Sequence, residues 1–313
     1  MNSTLSTLEA IADVEILRGE PLSRHTTFRV GGPVRMVARP RSERALFAFL
    51  NAAKELGVPF IVLGEGSNVL APDGPWDMVV VQLHLALSEL VVGSPTPQGG
   101  KILYAGAGAR LADLIRFCIK EGLEGLEPLA GAPATVGGAL FMNASTSLGA
   151  ISDPLATIDL LGPDGQKRSV GRGELNPGYR TMGISKNSLI LGAGFHLRPC
   201  ETTVLQERVE AILKRRRQSQ PLRYPSAGSV FKNPEGRFAG ELIEKAGLKG
   251  FRIGDAQISQ KHANWIVNRG KATAKEILEL IEKTENEVYG TFGVRLEREI
   301  RILDRLYRNP ALC

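Results

Sequence analysis

The amino-acid sequence predicts an α+β protein of two or three domains. Three observations carry this. Capped, amphipathic helices lie among short strand-like runs. The 313 residues exceed one ordinary domain. Composition shifts near residue 200, where a long basic helix follows a strand-rich half.

Residues 1–20 read as a helical or loose lead-in, without the basic and apolar blocks of a secretory signal. Residues 22–32, LSRHTTFRVGG, alternate as a short strand ending on paired glycines, and 34–39 read as another strand. Residues 42–56 form a helix: Leu46, Phe49, Leu50 and Ala53 share one stripe, Ser42 caps the start and Gly57 ends it. A buried strand at 60–63 runs into Gly64, Glu65, Gly66, Ser67 and Asn68. Two glycines after a strand can expose successive backbone N–H groups as a nest for phosphate. A tight turn between strands is the other reading. It is not the dinucleotide fingerprint, because no third glycine or helix follows.

Strands at 78–83 and 101–105 flank a Gly- and Pro-rich hairpin or surface loop at 93–100. Leu111, Leu114, Ile115, Cys118 and Ile119 recur at helical spacing before Gly122, and Cys118 reads as a buried apolar group. Residues 126–144, LEPLAGAPATVGGALFMNA, are too glycine-rich for a stable helix and too apolar for a linker. They read as backbone pressed against a flat ring or diphosphate, or as a buried crossover loop. Residues 153–170 form a hairpin about Gly162-Pro163-Asp164-Gly165. Arg180, behind Pro177 and Gly178, sits on a shaped loop where a guanidinium can grip a carboxylate or phosphate. A strand at 189–197 closes this half.

The helix at 203–217 turns Leu205, Val209, Ile212 and Leu213 inward and ends in four cations, which suit a solvated helix C-terminus or, as the second reading, a nearby diphosphate. Next, LRYPSAGSVFKNP at 222–234 sets the Ser229 hydroxyl beside permissive Gly228, with Lys232 and Asn233 following. A turn entering a strand is the plainer reading. A helix at 238–246 ends at Gly247. Gln257, Gln260, Lys261, His262 and Asn264 then cluster before a core strand at Ile266 and Val267. The helix at 273–289 opens with a capping box, Thr273 and Glu276. Residues 294–303 alternate as a strand, with Glu297 and Glu299 on one face: a solvated charged face, or a carboxylate aimed into a site.

The formal net charge of +6 is mild and suits phosphate-bearing small molecules. Without a module motif or interleaved aromatics, nucleic acid is not expected as a partner. No apolar run approaches the ~18 residues of a membrane span. Cys118, Cys200 and Cys313 are odd in number and far apart, which points to a reducing, cytoplasmic setting. The four histidines lack ligand spacing, so no metal is expected.

Seven ordered motifs together resemble the flavin-dependent UDP-N-acetylenolpyruvoylglucosamine reductases of peptidoglycan synthesis. They are HTTFRVGG at 25–32, GEGSNVL at 64–70, EPLAGAPATVGGALFMNA at 127–144, GYR at 178–180, AGSVFKNP at 227–234, AQISQKHANWIVN at 256–268 and LEREIRIL at 296–303. The compact spacing between Asn233 and Glu299 is similar to the shorter subtype, which lacks a tyrosine-bearing loop. The resemblance implies a vanillyl-alcohol-oxidase-like (PCMH-type) FAD-binding domain over residues 1–200, with lobes at about 22–75 and 76–200, and a smaller α+β substrate-binding domain over 201–313. It implies non-covalent FAD, NADPH as co-substrate and UDP-N-acetylglucosamine enolpyruvate as substrate; no oligomer is implied. Gly64 to Asn68 and Ala134, Thr135, Val136, Gly137 and Gly138 would hold FAD. Hydride would pass from flavin N5 to the enolpyruvyl methylene. Arg180 would bind the substrate carboxylate, Glu299 (Glu297 ranking second) would assist polarisation, and Ser229 would supply the proton, restored through Lys232 or water. Tyr179, Lys232, Asn233, Gln257 and His262 would contact substrate, with the basic run before Pro221 a weaker candidate for its UDP end. Two departures from the family pattern stand out: ASTSLGAI at 144–151, and His25 where asparagine is common. The alternatives are another FAD oxidoreductase of the same fold, acting on a sugar or hydroxy acid, or a non-catalytic flavin or nucleotide-sugar binding module.

Overall fold

The structure, a computed structural model, describes residues 2–97, 99–185 and 187–303. Cys313 and the last ten positions of the expected second domain lie outside the described residues. The first sheet orders its strands Val14–Arg18, Val34–Pro40, Trp76–Val81 and Phe60–Val62. The first pair is antiparallel and the others are parallel. Parallel neighbours need a crossover. The helix Glu43–Glu55 supplies it, with the Ser42 hydroxyl accepting from Ala45 N at its start. The sheet takes in Trp76–Val81, so the first layer runs past residue 75.

Two expectations fail here. The lead-in contains the strand Val14–Arg18, whose five residues are too few to stand out before their partner is known. Residues 22–32 form no strand: Leu22–Arg24 is a 3₁₀ turn, and the following backbone bonds to distant loops. Thr27 N–H donates to Gly66 O, Ser226 N–H donates to Thr27 O, and Thr26 Oγ1 donates to Val30 O.

The second sheet is antiparallel, in the order Lys167–Gly171, Leu155–Leu161, Leu189–Pro199, Lys101–Gly106, Leu90–Pro95. The helix Leu111–Glu121 buries Leu111, Leu114, Ile115 and Cys118 and ends at Gly122, whose φ of 62° favours glycine. Burial pushes the Cys118 thiol on this helix up to about 12, so it is a core group and no nucleophile.

Contrary to expectation, residues 126–144 contain a helix, Val136–Phe141. Adjacent glycines each cost roughly 1 kcal/mol in a helix, but tertiary packing outweighs this. Val136 and Leu140 are fully buried, and a Cβ on Gly137 would press Ala107 at 3.0 Å. Thr135 caps the helix by accepting from Gly138 N at 3.2 Å. Thr135→Ala is expected to cost about 1 kcal/mol in urea unfolding; an unchanged midpoint would mean the cap is idle.

A second apolar core, including Ala227, Phe231, Ile243, Ile277, Leu280 and Ile281, belongs to the C-terminal region. Here the helices Ala239–Lys245 and Ala274–Phe292 enclose a three-stranded antiparallel sheet, Arg252–Ile253, Ala256–Ile258 and Ile266–Asn268. The Thr273–Glu276 capping box forms as expected. The expected strand over 294–303 shrinks to Arg301–Ile302, paired in parallel with Val69–Leu70. Both Glu299 N–H and Ile300 N–H point at Val230 O, so two residues face one and the alternation breaks.

Candidate active site

Ser229 is held between two neighbouring segments. Asn264 locks the chain beside it: Phe231 N–H donates to Asn264 Oδ1 at 3.0 Å, and Asn264 Nδ2 donates to Phe231 O at 2.8 Å. Val230 O accepts from Glu299 N at 2.8 Å, which sets Glu299 next to the serine segment. Gly228, with φ of 76°, makes the turn that delivers Ser229. Asn68 adds a strut by donating through Nδ2 to Glu299 O at 3.2 Å. One side chain of the GEGSN stretch therefore braces the backbone of the candidate acid.

Arg180 comes from the other half of the chain. Gly178 and Thr181 bond reciprocally through their backbones, and Asn143 Nδ2 donates to Gly178 O at 2.9 Å. The turn puts Arg180 at φ 62°, a strained value for a residue with a Cβ. Its Nε lies 2.6 Å from Glu299 Oε1, and the two side chains are only 17% and 11% exposed. The Nε–H is aligned with no acceptor among the described residues, so this is a charge contact and not an aligned hydrogen bond. Nη1 donates to Ser145 Oγ at 2.8 Å, and the guanidinium sits 5.0 Å from the Tyr179 ring centroid. Burial pushes the Glu299 carboxyl above its ordinary value, against the lowering charges of Arg180 and Lys232.

Ser229, Arg180 and Glu299 thus line one cleft of about 1030 Å³. Thr27, Glu65 and Thr135 line both this cleft and a smaller one of about 420 Å³, so the two are neighbours. Gly64, Glu65, Gly66, Ser67 and Asn68 each line one or both of these clefts. The backbone N–H groups of Glu65 to Asn68 have no acceptor among the described residues, as an anion nest requires. A Cβ on Gly66, at φ 61°, would overlap the His25 carbonyl oxygen, and one on Gly64 would press Thr135 Oγ1 at 2.5 Å. A phosphate or diphosphate reaching the turn would meet these N–H groups.

The 134–138 loop contributes differently. Val136 and Gly137 N–H donate to Ala109 O and Ala107 O, and Gly138 N–H goes to Thr135. These donors are occupied, so Ala134, Thr135, Gly137 and Gly138 form a close wall. Val136, also expected at the cofactor, is fully buried and lines neither cleft.

The substrate candidates separate. His262 lines the larger cleft, and burial lowers its pKa. Its Nδ1 accepts from Asn264 N at 3.3 Å. Gln257 lies outside the cleft lining and donates to Gly250 O at 2.9 Å, since its short strand turns it toward that loop. Tyr179, Lys232 and Asn233 also lie outside the lining, beside the Arg180–Glu299 end. Asn233 N–H donates to the Tyr179 hydroxyl at 3.3 Å, and Asn233 Oδ1 caps the helix Ala239–Lys245 through Ala239 N. Lys232 pairs with Glu297. Glu297 is 72% exposed and absent from the cleft lining, so the second-ranked carboxylate is a surface partner. His25 bonds through Nε2 to Glu20 Oε1 at 3.1 Å, and its backbone packs the nest.

The basic run before Pro221, a weaker candidate for the UDP end, contributes to the cleft lining, and Gln220 escaped the sequence reading. Arg216 and Gln220 line the large cleft, and Arg216 Nε and Gln220 Oε1 are buried with no partner among the described residues. The signal was present: Arg216 and Gln220 continue the inward stripe of Leu205, Val209, Ile212 and Leu213 at helical spacing. Ser145, beside Arg180, had no such signal.

The FAD binding domain model matches residues 34–171, and the model of the C-terminal domain of UDP-N-acetylenolpyruvoylglucosamine reductase matches 220–303. The reductase of Syntrophobacter fumaroxidans is 50% identical over 95% of this chain and 86% of its own. That of Moorella thermoacetica is 43% identical over 92% and 93%. The solved UDP-N-acetylenolpyruvylglucosamine reductase of Thermus caldophilus superposes with a TM-score of 0.76 at 34% identity, covering 93% of this chain and 99% of that one. Glucooligosaccharide oxidase of Acremonium strictum, at 16% identity and a TM-score of 0.51, covers 92% of this chain and 59% of its own; it shares the fold alone. The fold is therefore α+β with a vanillyl-alcohol-oxidase-like FAD-binding part. The chain belongs to the UDP-N-acetylenolpyruvoylglucosamine reductase family of FAD-dependent oxidoreductases.

Proposed function

We propose that the protein uses NADPH to reduce the enolpyruvyl ether of UDP-N-acetylglucosamine enolpyruvate, giving UDP-N-acetylmuramate. The observation that carries this is that Ser229, Arg180 and Glu299 line one cleft, beside a nest of backbone N–H groups with no acceptor among the described residues. FAD, when bound, supplies the hydride chemistry. The protein's own residues do the rest. Arg180 takes the substrate carboxylate, where charge accumulates as the double bond is reduced. Glu299 holds a proton against that carboxylate. Ser229 delivers a proton to the carbon next to it. A serine is a weak acid, so it serves only against a strongly basic carbon, with solvent restoring its proton. The unpartnered buried polar atoms of Arg216 and Gln220 suit the diphosphate and uridine end. In this reading residues 1–200 hold FAD and residues 201–313 hold the UDP-sugar.

The test is a spectrum followed by turnover. Purified protein is expected to be yellow, with flavin that reduces on adding NADPH and reoxidises on adding the enolpyruvyl UDP-sugar without oxygen. Reoxidation by simple sugars or hydroxy acids instead would favour the other oxidoreductase reading. A colourless protein that cannot be loaded with FAD would sink both.

A further inference from the structure

We propose that Ser145 is a positioning residue for Arg180, an inference resting on the proposed reaction. An arginine side chain is long and flexible, and one charge contact does not fix its plane. Among the described residues, the aligned hydrogen bonds from the Arg180 guanidinium both reach Ser145: Nη1 to Oγ at 2.8 Å and Nη1 to the backbone oxygen at 3.5 Å. The contact with Glu299 is on Nε and is not aligned. Tyr179 covers one face. Ser145 therefore sets the rotation of the fork about its own axis, which decides whether it meets a carboxylate through two N–H groups or one.

Ser145 is itself well anchored. It begins a small hairpin, Ser145–Thr146 against Gly149–Ala150. Thr146 Oγ1 donates to Pro128 O at 3.2 Å, Ala150 N–H donates to Asp153 Oδ2 at 2.7 Å, and Ile151 N–H donates to Ala144 O at 2.9 Å. The hydroxyl is thus presented from a pinned backbone, in the 144–151 stretch that departs from the family pattern. Ser145 also lines the cleft, so a direct contact with substrate is the rival role.

A double-mutant cycle in anaerobic stopped flow separates the two. Ser145→Ala is expected to slow reoxidation by the enolpyruvyl UDP-sugar about tenfold, the scale of one lost hydrogen bond to a charged group. Reduction by NADPH should fall far less, and Ser145→Thr should restore most of the rate. In an Arg180→Lys background, Ser145→Ala should add little further loss. Full additivity would assign Ser145 to substrate and overturn the positioning role. Equal losses in both half-reactions, with a lowered Tm, would make it structural. A wild-type rate in Ser145→Ala would also overturn it. If the unmutated protein is not reoxidised by the UDP-sugar at all, the proposed function falls and takes this role with it.

Discussion

Ser229→Ala is expected to slow reoxidation by the enolpyruvyl UDP-sugar about 10³-fold, the middle of the range for a lost general acid. Reduction by NADPH should change little. The reasoning starts from what the side chain does not do. The Ser229 hydroxyl has no hydrogen-bond partner among the described residues, so its removal leaves no buried group unpaired. Its position is set by backbone, through Gly228, the Trp265 bridge and the Val230–Glu299 hydrogen bond. Alanine keeps that backbone, and thermal stability should stay close to wild type. A selective loss in one half-reaction then reports chemistry. Matched losses in both, or a Tm lowered by many degrees, would remove Ser229 from its role. The cleft also holds Ser67, Ser145, Ser147, Ser219 and Ser226, so near-normal reoxidation would point to one of these instead.

What the sequence made legible follows from where the information resides. The helices Glu43–Glu55 and Ala274–Phe292 carry their own boundaries in Ser42, Gly57, Thr273 and Glu276, and they formed where expected. Local capping decides those ends. Residues 22–32, 136–141 and 294–303 were misread because their partners are remote. Thr27 bonds to Gly66 and Ser226, Gly137 packs on Ala107, and Glu299 and Ile300 share the Val230 carbonyl. No local period encodes such pairings. The site divides the same way. The resemblance to the reductase family singled out Ser229, Arg180 and Glu299 where local pattern left plainer readings open, and the fold brings them to one cleft. Gln220 hid because a polar residue on an apolar helical stripe looks like the stripe's end, whereas Arg216 belongs to a basic run readable as the partner of a diphosphate. Gln257 and His262 part company because strand alternation splits a polar cluster: Gln257 turns toward Gly250 while His262 lines the cleft.

Glu299→Ala is expected to lower the reoxidation rate about 10²- to 10³-fold, the scale of one lost donor at a developing negative charge. Glu299→Gln should retain distinctly more. The difference rests on the protonation state. Burial raises the Glu299 pKa above its ordinary 4.5, and only Arg180 and Lys232 oppose this. A carboxyl with a raised folded pKa adds stability below the unfolded value, and that contribution is lost as pH rises through the folded one. Substrate binding pushes the same way: a second carboxylate at Arg180 places a like charge beside Glu299 and draws on its guanidinium partner. Binding should therefore take up a proton at Glu299, leaving a neutral acid that donates to the substrate carboxylate. An indicator dye at weak buffer is expected to show proton uptake when the oxidised protein binds the UDP-sugar, and Glu299→Gln should abolish it. The wild-type reoxidation rate should decline as pH rises above the raised pKa of the bound complex. The glutamine variant, a neutral donor at every pH, should lack that limb. If glutamine is as damaging as alanine, or binding releases no indicator signal, Glu299 acts as a fixed negative charge and the neutral-donor assignment is wrong.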